Sequence, residues 1–214
     1  MLYAMIAGPL TRTTPVITIA LGIAFLPACL GAVEAFDKPR LLAEMKKGIS
    51  ELEAAVAGLS QSQWSFKPGP DKWSIADIIE HLIVSEEQYL AEVRGAMFAP
   101  ARPELAARTK GNDQRVIDFM DQETPHVAIQ LAQPMGRFAS PLRLIEVMKQ
   151  HRRMAIELIE STPETELRNH FIFRGKGSEL EIRDVYQFLL TQARHTPRHI
   201  LQIHRNQADS RYPR

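Results

Sequence analysis

Four stretches of this chain repeat apolar side chains at three- and four-residue spacing over about five turns each, a period that belongs to amphipathic helices and not to strands. The first stripe is Leu41, Leu42, Met45, Ile49, Leu52, Val56 and Leu59, and it predicts a helix from Lys38 to Leu59. The second opens at "KWSIADIIEHL", where Ser74 and Asp77 have the spacing of a capping box. It continues through Ile75, Ile78, Ile79, Leu82, Tyr89, Leu90 and Val93. The third opens at "SPLRLIEV", with Ser140 as cap and Pro141 at the first helical position, where a missing N–H costs nothing. It runs to Ser161. The fourth covers Glu181 to Gln207. Four such helices in one domain of this size bury their stripes by packing together, so the expected fold class is all-α, a four-helix bundle.

The connections are unequal. "SQSQWSFKPGPDKW" is turn-rich and carries both tryptophans. Trp73 directly precedes Ser74, the position of a hydrophobic staple, and is expected to pack over the start of the second helix. The stretch from Phe98 to Ala139 is long, punctuated by Pro and Gly, with one short helical candidate, "NDQRVIDFMDQ". A connection of that length between the second and third helices permits a crossover. "FIFRGKGSELEI" reads as a brief extended turn before the last helix.

The first 35 residues differ in character. "MLYAMIAGPLTRTT" holds one basic residue, Arg12, and no acid. "PVITIALGIAFLPACL" is an unbroken apolar run, and Val33 and Ala35 are small-residue positions before a cut at Phe36. These are the three parts of a secretory signal peptide. The run from Pro15 to Leu30 is shorter than the roughly 20 residues a spanning helix needs. An uncleaved anchor is one alternative. Lipid attachment at Cys29, the single cysteine, is another, although Pro27 fits that pattern poorly. Residues 1–35 are therefore expected to direct export to the periplasm or beyond the cell, and 36–214 to form the bundle domain. The mature domain has no cysteine, which excludes disulfides and a cysteine nucleophile.

With 26 Lys+Arg against 25 Asp+Glu and no block of like charge, the chain lacks the clustered basic excess that phosphate backbones require, and no nucleic-acid partner is expected. No Ser-His-Asp constellation stands out. "GKGSE" is too short for a phosphate loop.

The informative residues are histidines. In "QARHTPRHILQI", His195 and His199 lie one turn apart on a helix that tolerates Pro197 between them, despite a cost of about 3 kcal/mol in an ordinary helix interior. Gln192, His195, His199 and Gln202 form a polar line on this helix, and His81, Ser85 and Gln88 form another on the shoulder of the second. Buried polar groups need partners. If the two lines face each other, His81, His195 and His199 converge as a three-imidazole metal site with an open fourth position. The other histidines fit less well. His126 and His170 fall in loops, His151 sits among charges and reads as exposed, and His204 points away from His199. The i,i+4 pair alone is a weak signal, because a histidine on a helix shoulder is more often an ordinary hydrogen-bonded residue. Glu80 and Asp77 are candidates to orient His81. Arg194 and Arg198 read as solvated surface charges or as attractors of an anionic substrate.

Together these residues resemble a known family. Lys72-Trp73-Ser74 opening a helix, His81-Leu82 soon after, and His195/His199 with Gln202-Ile203 in the last helix look like the DinB-like superfamily, over residues 40 to 206. The resemblance implies an up-down-down-up bundle holding a divalent metal, commonly zinc or nickel, through three histidines that map onto His81, His195 and His199. Relatives include mycothiol-dependent maleylpyruvate isomerase and bacillithiol transferases. An export signal departs from those thiol-using members.

Two classes stay open. One is a metal-dependent enzyme on a small-molecule substrate, hydrolytic or thiol-transferring. The other is a non-catalytic exported protein that binds metal or a small ligand. Neither needs a membrane after cleavage, and either is compatible with a homodimer. Metal affinity is expected to fall below about pH 6.5, the unperturbed histidine value. The leader expectation has a direct check: intact-mass measurement of periplasmic protein should give a chain starting at Phe36. A lipid-bearing Cys29, or an intact Met1 in the membrane fraction, would contradict it.

Overall fold

The helix starts follow from their caps. In the computed structural model, which describes residues 37–122, 128–138, 140–175 and 180–214, helix α1 spans Lys38–Val56 and begins where the Asp37 side chain accepts from the Arg40 N–H. Helix α2 is a short turn, Gln61–Ser65. Helix α3, Ile75–Phe98, opens on a complete Ser74/Asp77 capping box. Two short helices follow, α4 (Ala106–Thr109) and α5 (Asp113–Asp121). Helix α6, Pro141–Ser161, starts from Ser140 with proline at its first position. After α7 (Glu164–Asn169), strands β1 (Phe171–Arg174) and β2 (Glu181–Asp184) pair antiparallel. Helix α8, Val185–Gln207, starts from the Asp184 cap and runs through Pro197.

Two expected boundaries shift. α1 stops at Val56 and not Leu59, because Ala57 is extended and Gly58 takes a φ of 71°, a left-handed setting that glycine adopts without steric cost. The last helix begins at Val185 and not Glu181. Glu181 to Asp184 are held instead by ladder bonds to β1, so this part of the extended segment is a paired strand.

The four long helices run in the directions expected for an up-down-down-up bundle. Tyr186 Oη, at the start of α8, donates to the Asp37 carbonyl at the start of α1 (2.8 Å), and Gln207 near the end of α8 donates to Ala55 near the end of α1. Those two helices are parallel. Lys46 pairs with Glu160 and Lys149 with Glu53, so α1 and α6 are antiparallel. Asn206 donates to the Trp73 carbonyl just before α3, which sets α8 antiparallel to α3. α3 and α6 therefore run in the same direction, and the chain between them must travel back along the bundle. The described residues between Ala99 and Ser140 lie on this return, with α5 against α8. Among the described residues no helix is long and apolar enough to cross a membrane.

The core is divided. One apolar cluster includes Leu41, Met45, Leu90, Val93, Ala155, Ile159, Leu189 and Ala193. The other includes Leu52, Val56, Ile78, Leu82, Met148, Ile200 and Ile203. Each Leu, Ile, Val and Met among them contributes roughly 1.5–3 kcal/mol by leaving water. Between the clusters each long helix presents a small or polar residue: Gly48, Glu86, Arg152 and Thr196. A Cβ on Gly48 would meet Thr196 Cβ at 3.6 Å and Pro197 Cδ at 3.8 Å, so α1 lies close against α8 at this level. Arg152 and Glu86 are both 1% exposed. Arg152 Nη2 donates to Glu86 Oε1 at 2.5 Å and to Thr196 Oγ1 at 2.6 Å, Nη1 reaches Met45 Sδ, and Gln192 Nε2 donates to Glu86 Oε2. Burial pushes the Glu86 carboxyl upward in pKa, against the opposing pull of Arg152 and Gln192.

Removing one member of a buried ion pair strands the other charge and costs about 3–5 kcal/mol, whereas replacing both by apolar residues is often close to neutral. Arg152→Met alone should therefore destabilise the protein by about that amount in urea denaturation. The double substitution Glu86→Leu/Arg152→Met should cost less than either single one.

Candidate metal centre

Helices α3 and α8 face each other across the bundle, and their contact brings three imidazoles to one point. His81 comes from the second turn of α3, and His195 and His199 from successive turns of α8. All three are buried, at 6%, 9% and 9% exposure. His81 Nε2 lies 3.3 Å from His195 Nε2, and His199 Nε2 lies 3.0 Å from the same atom. One ligand atom from each can be chosen so that all lie within 4.8 Å of one another. Four nitrogens held tetrahedrally about 2.05 Å from a zinc ion stand about 3.3 Å apart, so the two distances to His195 Nε2 are those of a ligand set.

The second nitrogen of the outer rings fixes the tautomer. His81 Nδ1 is 2.8 Å from the Ala132 carbonyl, which can only accept, so Nδ1 carries the proton. His199 Nδ1 is 2.9 Å from Gln202 Oε1, and with that oxygen facing the ring the same follows. Both rings then present Nε2 lone pairs to His195 Nε2, which has one proton at most to offer and two acceptors to satisfy. A cation at the shared point resolves the conflict. The residues present therefore fit a divalent metal.

The electrostatics keep the rings neutral. Burial lowers all three pKa values. It acts first on His195, well below the ordinary value, with the neighbouring imidazoles adding to it. His199 is lowered to about 3, by burial and then by His81, with the Gln202 bond opposing. His81 is lowered by burial against the Ala132 bond. This revises the expected pH dependence of binding, because rings that are already deprotonated when folded have no proton to shed near pH 6.5.

Other expectations divide. Gln202 serves the centre, but Gln192 belongs to the Glu86–Arg152 layer, so the polar line on α8 serves two structures. Asp77 is absorbed by its cap and by an ion pair with Lys67 at 2.8 Å. Glu80 bonds the backbone of Met135, Gly136 and Arg137 and not His81. Arg194 pairs with Asp121, and Arg198 donates to the Met120 and Gln122 carbonyls, so both tie down the end of α5. His151 is half-buried and not exposed: it lies between α6 and α3 with Nε2 3.5 Å from Glu87, and burial lowers its pKa. His204 is exposed and His170 is buried on Ala96 and Glu166. His126 lies outside the described residues, as do Cys29 and the N-terminal 36 residues.

Two aromatic rings belong to the site although both read as core in the sequence. Trp73 does pack against the apolar cluster at the start of α3, yet its ring centroid is also 4.9 Å from that of His81 and stacked 6.5 Å from that of His199. Tyr89 meets His195 edge-on at 5.9 Å, with its phenol pushed up to about 12 by burial. Neither ring position follows from helical spacing alone. The signal for Trp73 was its place one residue before the cap of the helix that carries His81.

Because the three folded-state pKa values lie below the unfolded value, the metal-free protein should be most stable above about pH 6.5. It should lose stability as the pH falls toward the folded values. Melting of the metal-free protein from pH 7.5 to pH 4.5 should show this decline, shallower in His199→Ala. Zinc affinity of the folded protein should change little between pH 7 and pH 6.

Comparison with known proteins gives this arrangement a context. No curated protein matches the chain. Among solved structures it is similar to YfiT from Bacillus subtilis, described as a probable metal-dependent hydrolase with an unusual four-helix bundle topology. The identity is 13% and the TM-score 0.50, and the match covers 81% of this chain and 89% of that one. At that identity the likeness is one of fold. The family model for the DinB superfamily matches residues 44–203, which include all three histidines and all four long helices but for the ends of α1 and α8, and the chain thus belongs to the DinB superfamily.

Proposed function

We propose that this protein is an exported metal-dependent hydrolase acting on a small molecule, with His81, His195 and His199 holding one divalent ion, zinc or nickel. The observation that carries the reading is the meeting of three Nε2 atoms whose lone pairs have no other satisfactory partner. The description of YfiT as a probable metal-dependent hydrolase is in keeping with it. Export rests on the N-terminal sequence pattern alone.

A divalent ion held by the neutral imidazoles of His81, His195 and His199 would keep its double charge and would supply Lewis acidity toward water and an acyl oxygen. The chain's part is preparation. The Ala132 carbonyl and the Gln202 amide hold a proton on Nδ1 of His81 and His199 and so aim each Nε2 inward. Both partners are uncharged, so neither offsets the cation. Trp73 and Tyr89 place apolar ring surface against the trio, which excludes water from those sides and strengthens electrostatic interactions inside.

Calorimetric titration of zinc and nickel into metal-free protein should give about one ion per chain. Tight binding should be lost in His81→Ala, His195→Ala and His199→Ala and retained in His151→Ala and His204→Ala. Metal-loaded wild type, but not stripped protein, should turn over members of a panel of small esters and amides. Binding without turnover on that panel or on thiol adducts would favour a non-catalytic metal-binding protein. Stoichiometry well below one would remove the three-histidine site itself.

A further inference from the structure

Glu80 precedes His81 on α3, and both reach the same piece of the crossover chain. Glu80 is 3% exposed. Its Oε1 accepts from the Met135 N–H at 2.7 Å and its Oε2 from the Gly136 N–H at 2.9 Å, while the Arg137 N–H lies 3.3 Å from both oxygens. Three successive backbone N–H groups thus converge on one carboxylate, with Gly136 at a φ of 70° supplying the left-handed residue that such an anion-binding nest requires. Arg137 Nη1 adds an ion pair at 3.1 Å and also reaches back to the Gln133 carbonyl. Three residues before Met135, the Ala132 carbonyl accepts from His81 Nδ1.

A buried carboxylate that gathers a nest could serve only to pin a loop. Here the pinned segment is the one that supplies the partner of His81, and the two attachments come from adjacent residues of one helix. We infer that Glu80 is a positioning residue for the metal centre: it fixes the segment from Ala132 to Arg137, and that segment's Ala132 carbonyl holds His81 in the Nδ1–H tautomer that turns Nε2 toward His195 and His199. The inference rests on the three-histidine reading, but its first consequence belongs to the metal-free protein.

The test uses Glu80→Gln, which replaces one acceptor oxygen by a donor facing an N–H. It also uses Met135→Pro, which deletes one N–H of the nest at a residue whose side chain is 74% exposed. The second variant leaves the bundle core untouched and carries the test if the first does not fold. Long-range 1H–15N NMR of metal-free protein reads the His81 tautomer, and amide exchange reads residues 135–137. Wild type should show a single Nδ1–H form for His81. Both variants should show a mixture, with amide exchange accelerated at least about tenfold, at 135–137 in Glu80→Gln and at 136–137 in Met135→Pro, and zinc affinity weakened about 10- to 100-fold, the range typical for partners of metal ligands. Accelerated exchange with an unchanged tautomer and zinc affinity within twofold of wild type would reduce Glu80 to a loop anchor and overturn the inference. Unchanged exchange would overturn it as well. If wild type itself binds no zinc, the ligand reading fails, and the tautomer measurement still decides whether Glu80 positions His81.

Discussion

The Glu86–Arg152 pair at the waist of the bundle is the interaction on which the remaining geometry depends. Apolar stripes alone permit helices to slide and rotate against one another, because hydrophobic burial is non-directional. A fully buried guanidinium has no such freedom. It must meet its carboxylate and its other acceptors at hydrogen-bond distance, or the cost of desolvation goes uncompensated. Arg152 draws Glu86 from α3, Thr196 from α8 and Met45 from α1 into one layer, which sets the register of all four long helices. Thr196 adjoins His195, and Glu86 lies five residues beyond His81. The layer that fixes the register therefore also sets the height and rotation at which the two helices that carry the three histidines face each other.

The centre above that layer is built from neutral parts. Its three imidazoles are pushed toward the neutral form by burial, and the groups that orient two of them are a backbone carbonyl and a side-chain amide. The charged residues nearby are engaged elsewhere: Arg194 and Arg198 on the end of α5, Asp77 in its cap, Glu80 in the nest. A cation entering such a site would meet little compensating negative charge, in contrast to a carboxylate-rich centre, and its own charge would remain available to a substrate.

Much of this was legible in the sequence, and what was not has a physical reason. Apolar periodicity located the four long helices, and cap chemistry at Ser74 and Ser140 fixed two starts to the residue. The i,i+4 spacing of His195 and His199, with His81 on a facing shoulder, assembled the trio. The hairpin at Phe171–Asp184 read as helix at its end because four residues carry too little periodicity to separate the two. The waist layer escaped because Glu86 and Arg152 look like surface charges on their helices, and only tertiary packing buries them. Ala132 escaped because its contribution is a carbonyl, which every residue has. His151 read as exposed because its neighbours in sequence are charged, while its face of α6 is turned toward α3.

The parallel alignment of α3 and α6 carries a consequence for how the molecule comes together. Neighbouring antiparallel helices can dock as a hairpin through a short link, so their contacts are local and form early. Here that route is closed to α3 and α6, and the contact of His81 with His195 spans 114 positions of the chain. Bringing such distant segments together costs loop-closure entropy before any packing rewards it, which slows folding relative to a simple up-down bundle. The trio is thus a non-local feature of the chain. An ion seated there would bind the completed topology and not the partly folded one, and would hold closed a contact between distant parts of the chain.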